Sequence, residues 1–168
     1  MLHDLRSPAD VSDVAAVSRL KALLPTSHAA FASSARRAQE TALALGLEPR
    51  VEPAFNEQDF GQWTDRTHDE LGDEFGPTYD EFWRAPAISR PSGGESFVEQ
   101  IARVGTAIDA LPAGDVIIVA HAGTIRATLA IALRIAAETA LGFVIDPWSL
   151  TRLDRLDWVW RIVAVNRV

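Results

Sequence analysis

Four short stretches hold residue types that could do chemistry. Residues 116–126 read VIIVAHAGTIR. An apolar run ends at His121, small residues follow, and a helical pattern begins. A histidine at the carboxyl end of a buried strand, beside a helix N-terminus with free N–H groups and a positive dipole end, can move a proton or hold an oxyanion. The alternative is a structural histidine satisfied by loop carbonyls. Residues 31–42, FASSARRAQETA, repeat that plan, with Arg36 and Arg37 in the first helical turn. Cations there oppose the helix dipole, and an anion at the same place would make them favourable; otherwise they face solvent or pair with Glu40. In residues 55–63, FNEQDFGQW, a carboxyl group sits among aromatic side chains, an environment that can keep an acid protonated near neutral pH. Glu57 and Asp59 are both candidates, against the plainer reading of a solvated loop acid. In residues 91–96, PSGGES, glycines ahead of a helix allow the backbone to approach a ligand closely, or simply form a loop with an N-cap.

The elements that must position these residues alternate between helix and strand. Apolar spacing predicts a helix over residues 11–24, opened by Ser12 and stopped by Pro25. A short strand follows at 28–33, a helix at 34–45 closed by Gly46, and a short strand at 50–55. Thr67-His68-Asp69-Glu70 and Ser96-Phe97-Val98-Glu99 have capping-box form, the second opening a helix to about residue 111. Residues 115–120, DVIIVA, suit a parallel strand covered on both faces, and 124–137 a helix. Residues 150–153 and 158–165 read as a closing antiparallel pair turned at 155–157. The middle, residues 56–94, is irregular, acidic and aromatic (Trp63, Tyr79, Trp83). It is expected to be an insertion covering a site. The sum is a single α/β domain over residues 1–168, layered on a mostly parallel sheet.

Composition narrows the function. At 168 residues one core is expected, and 48% hydrophobic with 23% charged residues is the ordinary globular balance. With no cysteine there is no disulfide, Cys-ligated zinc or thiol nucleophile, and no metal cluster is evident. A net charge of −7 counts against nucleic-acid binding but leaves room for a local arginine pocket. The basic residues are 15 arginines and the single Lys21. The guanidinium fork matches phosphate oxygens in pairs, although genomic composition accounts for most of that bias. The first residues lack a signal-peptide pattern, and no apolar stretch is long enough to span a membrane, so a cytoplasmic protein is expected.

In their order, the four segments resemble the histidine phosphatase, or phosphoglycerate mutase-like, superfamily, closest to small α-ribazole phosphatase-like members. The resemblance rests on Ser33 to Ala42 with Arg37, on Glu57 in NEQDFGQW, on Gly94-Glu95-Ser96, and on His121-Ala122-Gly123-Thr124-Ile125-Arg126. It implies a three-layer α/β/α fold with Glu57 and His121 as catalytic groups and Arg37, Ser34 and Ala122 binding substrate. It further implies a phosphomonoester hydrolase that works through a phosphohistidine, with no cofactor. The partner is a small phosphorylated substrate or free phosphate, with a homodimer allowed and neither nucleic acid nor membrane. The family's first motif, a strand ending in Arg-His-Gly, has no counterpart. There is no Arg-His pair, and the histidines are His3, His28, His68 and His121. The chain is read as shortened at its front by about 20 residues, a strand and its connection. Two alternatives stay open: a natural short form that binds phosphate as a non-catalytic relic, and a rearranged site using His3 or His68. The lost strand would lie beside the strand carrying His121. Residues 1–10, a rearranged segment or a second chain is therefore expected to fill that edge.

Overall fold

The computed structural model describes residues 5–157 and 159–168. Helix α1 (Val14–Leu23) is opened by Asp13, whose carboxylate accepts from the Ala16 N–H at 2.9 Å. The expected cap, Ser12, instead donates its hydroxyl to Asp10. Strand β1 (Ala29–Ala32) leads through α2 (Arg36–Ala44) to β2 (Arg50–Val51). The strand expected over 50–55 is cut short by Pro53, which starts a turn of 3₁₀ helix through Phe55. The two capping boxes open α3 (His68–Phe75) and α5 (Phe97–Asp109) as expected. Between them lies α4 (Pro77–Arg84), which the sequence reading left unassigned; Pro77 at its first position starts it.

Strand β3 (Val116–Val119) pairs parallel with β1, Ala29 opposite Val116 and Ala32 opposite Val119, giving the order β2-β1-β3. Alternation along the strands builds two cores. Phe31, Val116 and Ile118 pack with Phe97, Val104 and Ile108 of α5. Helices α6 (Ala122–Leu133) and α7 (Ala137–Leu141) complete that layer through Ala127, Ala130 and Ala140. Ala30, Ala32, Ile117 and Val119 face Leu20 of α1 and Ala42 of α2. The result is the expected three-layer α/β/α arrangement. The helix expected over 124–137 is split: Arg134 takes a left-handed conformation (φ 54°), and the Ile135 N–H reaches back to the Ala130 carbonyl, a helix-ending motif.

Strand β3 was expected to be covered on both faces, yet all four of its residues are only half-buried. It is the last strand of its sheet among the described residues. Of the three candidates to fill that edge, residues 1–10 run elsewhere over their described part. The Leu5 carbonyl accepts from the Arg36 N–H at 2.7 Å, and the Ala9 N–H donates to Glu40 at 2.9 Å, laying residues 5–10 along α2. A separate antiparallel hairpin, β4 (Leu150–Leu156) and β5 (Val159–Arg167), forms a second sheet. Its Trp160 packs into the core that holds Val116 and Ile118, while Trp148 and Leu150 join the core of Ile117 and Val119. The hairpin is longer than the expected pair, and Trp158 lies outside the described residues, as does His3.

Residues 56–94 build a small core of their own from Trp63, Leu71, Tyr79 and Phe82. A backbone clamp ties this segment to the start of α5. The Gln62 N–H donates to the Ser92 carbonyl at 3.0 Å and the Glu95 N–H to the Asp59 carbonyl at 2.8 Å. A Cβ on Gly94 would lie 2.3 Å from the Asp59 carbonyl oxygen. The close approach expected of these glycines is therefore backbone against backbone rather than backbone against ligand. Gly61 has φ +52°, and a Cβ there would stand 2.3 Å from the Ser92 oxygen. Gly61→Ala should cost about 3 kcal/mol in urea unfolding, through strain and collision. Gly72→Ala, in open space on α3, should gain about 0.5–1 kcal/mol.

Candidate active site

The pairing with β3 carries on one residue past the end of β1. The Ser33 N–H donates to the Val119 carbonyl at 3.1 Å, so Ser33 and His121 arrive side by side at the carboxyl edge of the sheet. His121 is buried, and its Nε2 lies 2.7 Å from the Ser33 hydroxyl oxygen. Its Nδ1 lies 3.3 Å from Nη2 of Arg37 in the first turn of α2. A guanidinium can only donate, so Nδ1 is the acceptor, and the ring proton sits on Nε2 and is donated to Ser33. That is a neutral imidazole. Burial pushes the His121 pKa down to about 4; the charge of Glu57 opposes that shift, while Arg37 and Arg103 add to it.

The neighbouring arginines part company because successive helical residues point about 100° apart. Arg36 turns outward and pairs with Glu40 at 2.7 Å, whereas Arg37 faces the histidine.

Glu57 reaches the same place from the loop after the 3₁₀ turn. Its Oε2 accepts from the Gly123 N–H at 3.1 Å, at the start of α6. Its Oε1 accepts from the Gln58 N–H at 2.9 Å and from Gln100 Nε2 at 3.3 Å. A carboxylate thus occupies one of the helix N–H groups that the sequence reading left open to a bound anion. Gly123 is required by this contact: a Cβ there would stand 2.0 Å from Glu57 Oε1. Asn56 sets the position of Glu57. Its carbonyl accepts from Thr124, Arg103 and Gln100, and its side-chain Oδ1 accepts from both the N–H and the hydroxyl of Ser34.

A cavity of about 570 Å³ opens on these groups, lined by Arg37, Glu57, His121, Ala122, Gly123 and Arg126 among others. It thus brings together Arg37, Glu57, His121 and Ala122 from the sequence reading. Ser34 lies outside it, tied to Asn56, and borders a neighbouring surface pocket with Arg36. Asp59 is spent on the backbone clamp, accepting from the Gly61 N–H. Neither remaining described histidine joins the site. His28, before β1, bonds the Pro25 carbonyl, and His68 bonds Tyr79. Sequence reasoning missed Ser33, Gln100 and Arg103. Ser33 was legible as the residue following β1, but Gln100 and Arg103 on α5 became visible only through packing. Among the described residues no cluster could hold a metal ion, and no helix is long and apolar enough to cross a membrane.

The family model described as histidine phosphatase superfamily (branch 1) matches residues 13–168. The chain is 34% identical over 119 residues to glucosyl-3-phosphoglycerate phosphatase of Mycobacterium tuberculosis, covering 61% of this chain and 53% of that protein. It is 33% identical over 149 residues to a 2,3-bisphosphoglycerate-dependent phosphoglycerate mutase of Methylobacterium sp., covering 80% of this chain and 70% of that protein. It spans about half the length of the first curated relatives it matches. Among solved structures, the α-ribazole phosphatase of Shigella flexneri superposes with a TM-score of 0.85 at 24% identity, covering 96% of this chain and 85% of that one. The native mycobacterial glucosyl-3-phosphoglycerate phosphatase gives 0.76 at 29% identity, covering 92% and 83%.

The neutral state of His121 has a consequence for stability. Below its ordinary pKa of 6.5 the unfolded chain takes up a proton at His121 that the folded protein refuses until about pH 4. This contribution is fully present above pH 6.5 and is lost as the pH falls to about 4. The loss is about 3 kcal/mol between those limits. Urea unfolding at pH 7 and pH 4 should show that loss in the native protein and a clearly smaller one in His121→Gln.

Proposed function

The chain belongs to the histidine phosphatase superfamily, and on that premise we propose that it is a phosphomonoester hydrolase. The observation that carries this reading is the convergence of Arg37, His121 and Glu57 on one cavity at the carboxyl edge of a parallel sheet. Arginine supplies charge-assisted bonds to phosphoryl oxygens. His121, once protonated, supplies another, and phosphoryl transfer depends mainly on such positioning and charge stabilisation. Both supporting groups are rigidly mounted, one on α2 and one at the start of α6.

The reaction follows in two steps. A histidine nitrogen attacks phosphorus, the bond from phosphorus to the ester oxygen breaks, and Glu57, entering this step in its protonated form, gives that proton to the leaving alkoxide. Water then attacks the phosphohistidine while the Glu57 carboxylate takes the proton of that water, returning the histidine and releasing phosphate. In the superfamily pattern the attacking histidine stands in an Arg-His-Gly segment, which this sequence does not contain. His28 and His68 are held elsewhere by Pro25 and Tyr79. That same placement favours a second reading, a phosphate-binding relic without turnover.

Calorimetry with inorganic phosphate tests the shared part. Binding should weaken by about tenfold to a hundredfold in Arg37→Ala, the value of a charged hydrogen bond, and phosphate that ignores this change contradicts both readings. A chain extended by an Arg-His-Gly strand separates the two. Acid-labile phosphohistidine formed from a phosphate ester, and ester hydrolysis that Glu57→Gln slows, support the hydrolase. A folded, phosphate-binding extended chain that never turns over supports the relic.

A further inference from the structure

Glu57 is held by a residue that carries an unanswered atom of its own. Gln100 stands in the first turn of α5, fully buried behind the cavity. Its Nε2 donates to the Asn56 carbonyl and to Glu57 Oε1, each at 3.3 Å. Its own Oε1 is buried and has no hydrogen-bond partner among the described residues. The neighbours fix this orientation. A carbonyl and a carboxylate both accept, so only the NH2 end of the amide can face them. Turning the amide would set oxygen against oxygen at both contacts. Leaving a buried acceptor unpaired costs free energy, and an apolar side chain of the same length would fill the place without that cost. The amide is therefore explained by what its N–H groups do, not by packing.

The two oxygens of Glu57 are treated differently. Oε1 accepts from Gln100 and from the Gln58 N–H at 2.9 Å, so both its lone pairs are engaged. Oε2 accepts one N–H, from Gly123 at 3.1 Å, and keeps a second lone pair. Gly123 lines the cavity together with Ala122 and His121, whereas Gln100 lies behind it.

We propose that Gln100 is a positioning residue: by occupying Oε1 it confines the acidic proton of Glu57 to Oε2, the oxygen set against the cavity-lining start of α6. This rests on the phosphatase reading above, in which Glu57 is the acid. When that proton leaves, the O–H bond at Oε2 breaks and the ester oxygen takes the proton. The carboxylate so formed meets the same three N–H donors, so no side chain has to move during the transfer. Without the Gln100 donor the proton would be shared between the two oxygens, and part of the protein would hold it on the wrong side of the carboxyl group. Arg103, one turn on along α5, steadies the same loop by donating to the carbonyls of Ala54 and Asn56.

Infrared spectroscopy of the chain as it stands reads the position of the proton. The C=O stretch of a protonated carboxyl falls in frequency as its carbonyl oxygen accepts more hydrogen bonds. The chain is acidified within its folded range, followed by near-ultraviolet circular dichroism, and subtracting the spectrum of Glu57→Gln isolates the Glu57 band. That band should be single and low in frequency, because Oε1 as the carbonyl accepts twice. In Gln100→Met, which keeps the side-chain length but has no donor, it should move to higher frequency and split, as either oxygen becomes the carbonyl. Gln100→Asn, which draws the amide back by one carbon, should show the same shift. If neither variant folds, the native band decides alone, single and low for the assignment or split against it. A band that stays in place in a folded variant, or a native band already split, would overturn the assignment and leave the phosphatase reading intact. A folded native chain that shows no Glu57 band at any pH would overturn the acid role of Glu57 and this assignment with it.

Discussion

The parallel register of β1 and β3 is the constraint on which the rest depends. With Ala32 opposite Val119, Ser33 follows one strand by one residue and His121 the other by two, and the two leave the sheet together. A slip of one residue would turn His121 to the opposite face. Packing of Phe31, Val116 and Ile118 into one core and of Ala32, Ile117 and Val119 into the other makes that slip costly. The hydrophobic layers thus set a polar contact that they do not themselves include. Because α2 starts directly after β1, the same register delivers Arg37 to the other nitrogen of the histidine.

The resting site is arranged around a proton that is absent. His121 is buried between a hydroxyl and a guanidinium, and its Nδ1 lone pair answers the positive charge of Arg37. An unprotonated phosphoryl oxygen offers only lone pairs, so it cannot take the place of that donor while the ring is neutral. Bringing in a dianion reverses the local field: it offsets Arg37 and favours the imidazolium. A phosphate dianion bound beside Arg37 would therefore favour proton uptake at His121. Glu57 is kept close but separate by three N–H donors and by Asn56, which joins the end of β1 to α5 and α6.

Much of this was legible in the residues because local signals and tertiary placement agree. Ser96 and Thr67 sit three residues before a glutamate and do cap helices. The apolar run before His121 is a strand, and the helix after it starts at the small residues. Where one side chain serves two masters, the sequence is silent. Ser34 looked like a phosphate ligand but answers Asn56, and Asp59 looked like an acid but holds a turn. Gln100 and Arg103 carry no motif at all; they matter because α5 packs against the loop that carries Glu57. The half-buried state of β3 was also illegible, since an apolar run does not say whether the neighbouring place in a sheet is taken.

The most direct test of the account is ¹⁵N NMR of the His121 ring at pH 6, with and without saturating inorganic phosphate. The account predicts a neutral ring protonated at Nε2 in the free protein and an imidazolium in the complex, with the change absent from His28 and His68. A ring already charged in the free protein, or one that stays neutral while phosphate is bound, would contradict it.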